Sequence, residues 1–176
     1  MEQTQVREGA WSPLHSVEAE RAIIASALLD YDECFKVERI QTIVQPEDFS
    51  LDQNAWAYAA LRDQTKHDPI TLGAYLSATQ TWEPEGGWFA HFAGMLEHCY
   101  TAIGVEAHAR LVARTAFSRR LLSLAQTMAR ASSDMDGTPR VILEDALAAV
   151  QGLRPIAMRA SGVGCDWRDG YSGTMR

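Results

Sequence analysis

Residues 13–30 read PLHSVEAERAIIASALLD and form the clearest helical pattern in the chain. Ser16 is a residue type that caps a first helical turn, and Glu18 and Glu20 place negative charge at the positive end of the helix dipole. The aliphatic residues that follow recur at three- and four-residue spacing, which predicts one buried face. On the opposite side, Ala22 and Ala25 are small enough for a second helix to approach closely. We therefore expect a helix held from two sides, with both glutamates at its surface.

Composition excludes several classes of protein. The chain has 176 residues, 47% of them hydrophobic, which is enough for one domain with its own core. No apolar run approaches the roughly 18 residues of a membrane-spanning helix, and the N-terminus is polar rather than signal-like. Three widely spaced cysteines, Cys34, Cys99 and Cys165, favour free thiols in a reducing compartment. We expect a cytoplasmic protein that makes no membrane contact.

The first part of the chain predicts a compact head of short helices. Residues 1–12 are polar and aperiodic, so we expect a flexible arm there. Residues 13–103 contain about five short helical patterns, with Ser50 or Asp52 and then Thr71 as candidate caps. Tyr75 is expected to face inward. The aromatic-rich face WFAHF, residues 88–92, is expected at the centre of the core because aromatic side chains bury the most apolar area.

The second part predicts an antiparallel helical hairpin, residues 104–153. Residues 105–131 contain neither proline nor glycine and carry two apolar rows, a wider stripe than one packing partner requires. Thr138 and Pro139 then begin a second helix in the cap-then-proline arrangement. Periodicity is lost beyond Gly152, so residues 154–176 are predicted to be a linker, either disordered or leading into a further domain. No segment alternates as a strand does, and the fold class is therefore all-α.

A search for catalytic chemistry finds none. No glycine-rich loop ends in Lys-Ser or Lys-Thr, so a Walker loop is absent from the sequence and ATP hydrolysis by this chain is not predicted. His91 and His98 would lie two helical turns apart, too far to share one metal ion. Glu18 and Glu20 point to different sides of their helix, so they form no acid–base pair. We assign no catalytic, cofactor-binding or metal-binding residue, and function must come from surfaces.

Several short motifs together resemble the N-terminal domain of bacterial replicative DNA helicases, the DnaB family. Residues 13–30 are similar to the Pro-x-His-Ser-x-Glu-Ala-Glu run with which that domain begins. Residues 46–49 (PEDF) resemble its Pro-x-Asp-Phe turn, and residues 68–71 (DPIT) its x-Pro step, in which Ile or Val and then Asp or Thr follow the proline. Residues 86–89 (GGWF) resemble the start of its Gly-Gly-x-x-Tyr-Leu motif. The matching residues of the hairpin are Arg114, Arg119, Leu121, Leu122 and Ala125.

The resemblance has departures. Ile103 and Gly104 replace the family's usual Ala-Asn before the long helix. His108 stands where tyrosine is common, and Ala25 where glycine often stands. These changes concern packing rather than the fold. The RecA-like motor that follows this domain in the family is not found within the 176 residues.

The resemblance implies a non-catalytic collar domain. In the family, heads and hairpins pair into dimers, three dimers form a collar above the motor ring, and primase and helicase loaders engage there. We accordingly expect self-association as a dimer or trimer of dimers, and a primase or loader as partner in a bacterial or phage-infected cell. The parent helicase would move 5′ to 3′ with ATP and Mg²⁺ and supply most of the DNA contact. This chain is expected to need no cofactor.

Both hairpin helices carry more apolar surface than a small core can cover, which predicts an interface on them. The residues expected at this interface are Val112, Ala116, Phe117, Arg119, Arg120, Leu121, Leu124, Met128, Ile142, Leu147 and Val150.

Two alternative functions remain open. The chain could be a free-standing regulator of mobile-element origin that binds a helicase ring. It could instead be an accessory domain that binds single-stranded DNA, despite the net charge of −7, through the arginine run of residues 110–130, in which no acid occurs. The candidate DNA contacts are Arg110, Arg114, Arg119 and Arg120.

Overall fold

A computed structural model describes residues 14–31, 39–63, 68–98, 104–133 and 138–161. Within these ranges the chain contains seven α-helices, one short 3-10 turn and no strand, which confirms the all-α prediction. The predicted arm, residues 1–12, lies outside the described residues. The elements are α1 (Val17–Leu29), α2 (Arg39–Ile43), the 3-10 turn (Pro46–Asp48), α3 (Asp52–Asp63), α4 (Pro69–Thr79), α5 (Gly87–Leu96), α6 (Val105–Ser133) and α7 (Pro139–Ser161).

Helix α1 lies at the centre of the head and is held from more than one side, as predicted. It contacts α3, α5 and α6. Ile23 and Ile24 are completely buried, and so is Ala25 on the small-residue side. Their neighbours in the same apolar core include Tyr58, Leu61, Leu72, Leu76, Trp88, Phe92, Ala109 and Val112.

The start of α1 differs from the prediction in two ways. Ser16 occupies the N-cap position, but within the described part of the chain its side chain makes no capping hydrogen bond. Glu20 is completely buried rather than at the surface. Its Oε1 accepts hydrogen bonds from the backbone N–H and the hydroxyl of Ser50, both at 2.6 Å, and its Oε2 accepts one from Asn54 Nδ2 at 2.9 Å. Glu20 therefore binds the start of α3 to α1.

Helices α4 and α5 form one side of the head. Asp68, not the predicted Thr71, caps α4 by accepting from the backbone N–H groups of Ile70 and Thr71 at 3.0 and 2.9 Å. Of the predicted aromatic centre, Trp88 and Phe92 are buried, whereas Phe89 is exposed. The prediction for Tyr75 was also wrong, because that side chain is exposed. Phe89 is exposed beside buried Trp88, and Tyr75 is exposed beside buried Leu76. The buried face of each helix is therefore narrower than the sequence pattern predicted.

The two longest helices form the hairpin, and α7 extends further than predicted. It continues through Gly152 and Pro155 to Ser161, eight residues beyond the expected end at Leu153, so residues 154–161 are helix rather than linker. Ile156 is buried in this extension, and contacts of α7 with α2 and α6 offset the cost of proline inside the helix. Residues 162–176 of the predicted linker lie outside the described residues. The remaining domain boundaries stay predictions.

Candidate functional site: the hairpin and its joint with the head

Helix α6 belongs to the head at its beginning and leaves the head near its middle. Ala109, Val112 and Ala116 are buried in a row at helical spacing. From Leu121 onward most side chains are exposed. We call residues 121–133 of α6 and 139–151 of α7 the distal hairpin.

The distal hairpin has a thin apolar seam between its own two helices. Leu124 of α6, together with Ile142 and Ala146 of α7, is partly buried, and the two helices contact each other. This seam uses one side of each helix. Large apolar side chains nevertheless remain exposed beside this seam and on other faces of the distal hairpin. They are Leu121, Leu122, Met128, Val141, Leu143, Leu147 and Val150.

The exposed residues form stripes rather than isolated positions. Leu121 and Met128 are seven residues apart on α6, with partly buried Phe117 and Leu124 in the same row. Leu143, Leu147 and Val150 follow four- and three-residue spacing on α7, which puts them on one face. Exposed apolar surface of this kind marks interaction sites in soluble proteins.

The structure sorts the eleven predicted interface residues into three groups. Val112 and Ala116 must be corrected, because they are buried in the core of the chain itself and offer no surface to a partner. Arg119 and Arg120 contact the head. The other seven lie on or beside the stripes, and their role in an interface stays a prediction. On the two hairpin helices, four exposed large apolar residues were not predicted as sites: Leu122, Val141, Leu143 and Met158.

Both hairpin helices are attached to the head through one buried carboxylate, Asp48. Its Oδ2 accepts hydrogen bonds from the backbone N–H of Gln45 and from Nη2 of Arg159, each at 2.9 Å. Its Oδ1 forms an ion pair with Nη1 of Arg120 at 3.1 Å. Arg159 also donates from Nε to the carbonyl of Ile43 at 3.2 Å. Arg120 belongs to α6 and Arg159 to α7, so one side chain of the head binds both helices.

A third guanidinium completes this contact, which we call the joint: Asp48, Arg119, Arg120 and Arg159. Arg119 donates to the carbonyl oxygens of Leu14 and Asp48, at 2.7 and 2.5 Å. Arg120 donates to the carbonyl of Glu47 at 2.9 Å. Burial lowers the pKa of Arg119, while the carboxylates of Glu20 and Asp48 act in the opposite direction. The joint therefore consists of charge-assisted hydrogen bonds and of one ion pair, between Arg120 and Asp48.

These contacts bear on the predicted DNA surface. Arg119 and Arg120 already bind carbonyl oxygens of the head, so using them for phosphate would require breaking the joint. Arg110 forms an ion pair with Glu106 one turn earlier on α6, and Arg114 is exposed on the same helix. Both line a surface hollow together with Gly104, Leu111 and Ala160. Contact with DNA stays a prediction.

A second groove lies on the head between α1 and α5. Glu18, Arg21 and Ala22 line one side, and His91 and His98 line the other. Burial, and to a smaller extent the charge of Arg21, lowers the pKa of His91. Among the described residues, no three His, Cys, Asp or Glu side chains are placed to hold a metal ion. None of the helices in the described ranges combines the length and apolarity needed to span a bilayer.

Comparison with known proteins gives concordant results. Residues 12–114 match the family model described as "DnaB-like helicase N terminal domain". The replicative DNA helicase DnaB of Geobacillus stearothermophilus is 29% identical over 139 residues, which cover 76% of this chain and 30% of that helicase. The crystal structure of the N-terminal domain of DnaB helicase from Mycobacterium tuberculosis aligns with a TM-score of 0.71 at 21% identity, covering 80% of this chain and 99% of that one.

Proposed function

Since this chain belongs to the family of DnaB-like helicase N-terminal domains, we propose that it is the non-catalytic assembly and partner-docking domain of a replicative DNA helicase. The observation that carries the proposal is the pair of apolar stripes on the distal hairpin. The buried apolar core of the head contains no residue of the distal hairpin, so the head does not need these stripes in order to fold. They are available to a second copy of the chain.

The spacing of the stripes supports hairpin-to-hairpin contact. Leu121 and Met128 repeat at seven residues, and Leu143, Leu147 and Val150 repeat at four and three, the spacings used when helices pack lengthwise. Each half-exposed leucine that becomes buried contributes about 1 kcal/mol. Burial of several such residues on each copy favours association, and it must exceed the loss of translational and rotational freedom, which costs about 4–15 kcal/mol.

Sedimentation velocity over a range of protein concentrations tests the proposal. We expect the wild-type chain to self-associate, and we expect Leu121→Asp and Leu147→Asp to raise the dissociation constant about a hundredfold or more, since each places a charge in an apolar interface. Both positions are solvent-exposed, so helicity measured by circular dichroism stays unchanged. Phe89→Asp is the matched control: Phe89 is 59% exposed and Leu147 54%, but Phe89 lies on the head. A wild-type chain that remains monomeric at high concentration refutes the proposal.

We further propose that the assembled domain engages a primase or a helicase loader. The head presents exposed Ile70, Trp82 and Phe89 outside the hairpin, which gives a partner an apolar surface independent of self-association. Adding the primase or loader encoded in the same genome to the sedimentation experiment should give a faster-sedimenting complex. Separate boundaries for the two proteins at micromolar concentration would contradict this part of the proposal.

A further inference from the structure

An apolar groove lies on the head between α4 and α5. Its lining includes Ile70, Gly73, Ala74, Ser77, Glu83 and Phe89. Residues 70, 74 and 77 follow four- and three-residue spacing, so they lie along one face of α4 over two turns, or about 10 Å. We call this surface the α4–α5 groove.

Large exposed side chains border the groove, and small residues lie between them. Ile70 of α4 is 70% exposed, and Phe89 of α5 is 59% exposed. Gly73 is buried, and an added Cβ there would lie 3.3 Å from Cβ of Trp88, so α4 and α5 are in close contact at this point. Ala74 is exposed beside it. This lining allows another chain to approach α4 closely and to bury both Ile70 and Phe89.

The shape of the groove fits a helix better than it fits a small molecule. The groove has a volume of about 380 Å³ and is open to solvent. Small-molecule sites usually enclose most of the ligand surface. An amphipathic helix needs cover on one face only, and it inserts apolar side chains at positions i, i+3, i+4 and i+7. The two-turn length of the α4 face matches the distance from i to i+7.

The fixed charges around the groove are negative. Residues 68–98 contain four acidic residues and no lysine or arginine. The acidic residues are Asp68, Glu83, Glu85 and Glu97. Asp68 is the exposed N-cap of α4, at the end of the groove nearest Ile70. Glu83 lies at the other end, where its Oε1 accepts a hydrogen bond of 2.7 Å from the hydroxyl of Ser77. Glu83 and Glu85 are both exposed.

We propose that the α4–α5 groove binds an amphipathic helix of the docking partner, and that this helix carries lysine or arginine beside its apolar face. The inference rests on the proposed partner docking, for which it names the site and the chemistry of the partner. Apolar side chains of the bound helix pack between Ile70 and Phe89, and its basic side chains face Asp68 and Glu83. A second copy of the chain is a poorer occupant, because its net charge of −7 has the same sign as the groove.

Sedimentation velocity of the full chain tests the groove, with the primase and, separately, the loader encoded in the same genome as probes. Ile70→Ala combined with Phe89→Ala truncates both bordering side chains and should weaken binding at least thirtyfold, because their apolar burial is lost. Both residues are exposed, so helicity and self-association stay unchanged. Met158→Ala is the matched control and should leave binding unchanged: Met158 is 56% exposed but lies on α7.

Glu83→Gln combined with Glu85→Gln tests the chemistry of the partner. Glutamine at position 83 keeps an oxygen for the hydroxyl of Ser77 and removes the charge. Affinity should fall about tenfold at low salt and less at high salt, where attraction between exposed charges is screened. The matched control is Glu144→Gln combined with Asp145→Asn, which removes two exposed carboxylates from α7 and should leave the affinity unchanged.

The outcomes separate the groove from the proposed function. A wild-type chain that binds neither probe at micromolar concentration overturns partner docking, and the groove with it. Wild-type binding that persists undiminished in the Ile70→Ala, Phe89→Ala variant overturns the groove alone. Affinity at low salt that is unchanged by Glu83→Gln with Glu85→Gln overturns the basic character of the bound helix. Weaker self-association of the Ile70→Ala, Phe89→Ala variant would assign the groove to a contact between copies and so overturn the proposal.

Discussion

Replacing Glu20 by alanine should destabilise the head more than any exposed substitution on α1. Glu20 is completely buried and accepts three hydrogen bonds, two from Ser50 and one from Asn54. Alanine leaves these donors without their acceptor and opens a cavity between α1 and α3. Removing one partner from a buried charged network costs about 3–5 kcal/mol. For a chain of this size, that lowers the melting temperature by roughly 10 °C.

The Glu20→Gln variant removes the negative charge of the side chain but keeps its shape, so it measures how much of the stability depends on the charge. Glutamine keeps an oxygen for Ser50, but its amide nitrogen then faces the donor of Asn54. Asn54 can accommodate this by rotating its amide, because its Oδ1 is buried and accepts no hydrogen bond from the described residues. The number of hydrogen bonds is then preserved and only the charge assistance is lost. We expect a cost of about 1–2 kcal/mol, clearly smaller than that of alanine.

The assay is urea unfolding followed by tryptophan fluorescence and circular dichroism at one fixed protein concentration, since association would shift the midpoint. Glu18→Gln is the control, because Glu18 lies two residues away and is exposed. We expect Glu18→Gln within about 0.5 kcal/mol of the wild type. If Glu20→Ala unfolds at the same urea concentration as Glu18→Gln, the reasoning that Glu20 holds α3 to α1 is refuted.

Two predictions concern proton binding. Hydrogen bonds from the Thr71 side chain, and then from the backbone N–H groups of Thr71 and Ile70, lower the pKa of Asp68 below 3.8. The ionised Asp68 side chain therefore stabilises the fold above pH 3.8, and this contribution is lost as the pH falls through the lower pKa of the folded state. Carbon-13 NMR should give a midpoint below 3.8 for Asp68, and a midpoint above it contradicts the cap. Burial, and to a smaller extent the charge of Arg21, lowers the pKa of His91 below 6.5. The stability that depends on a neutral His91 ring is therefore present above pH 6.5 and is lost as the pH falls through the lower pKa of the folded state. NMR should give a His91 midpoint below 6.5 that rises in Arg21→Gln; a midpoint that does not rise would exclude the contribution of Arg21.

The helices themselves could be predicted because their signals are local. Spacing of aliphatic residues in 13–30 and the absence of proline and glycine from 105–131 act within one helix, and the structure contains both helices. The motifs that resemble the DnaB family were also local, and the family model confirms that resemblance. Periodicity cannot reveal which apolar residue ends up exposed, however. Phe89 and Tyr75 fit the pattern and lie outside because the neighbouring helices cover a narrower face.

The joint could not be predicted because its members are far apart in sequence. Arg159 bonds to Asp48 across 111 residues, and Arg119 bonds to Leu14 across 105. Charged residues are usually exposed, so we expected Glu20 at the surface, and only tertiary structure shows what compensates the burial of Glu20 and Asp48. The end of α7 was missed for the same reason. Gly152 and Pro155 disfavour helix locally, whereas the hydrogen bonds of Arg159 to Ile43 and Asp48 stabilise the end of α7 on the head.

The division of roles between the joint and the stripes follows from the physics of each contact. Apolar burial is strong but non-directional, so two hairpins covered with leucine could adhere at several relative angles. Hydrogen bonds of a buried carboxylate add little net stability compared with apolar packing, but they are broken by small displacements. A polar interface between copies would cost desolvation on every association, whereas the arginines at Asp48 stay paired within one chain. The arginines pair with Asp48 inside the chain, where polar contacts hold both hairpin helices to the head. The leucines lie on the distal hairpin, where non-directional apolar burial favours association with a second copy.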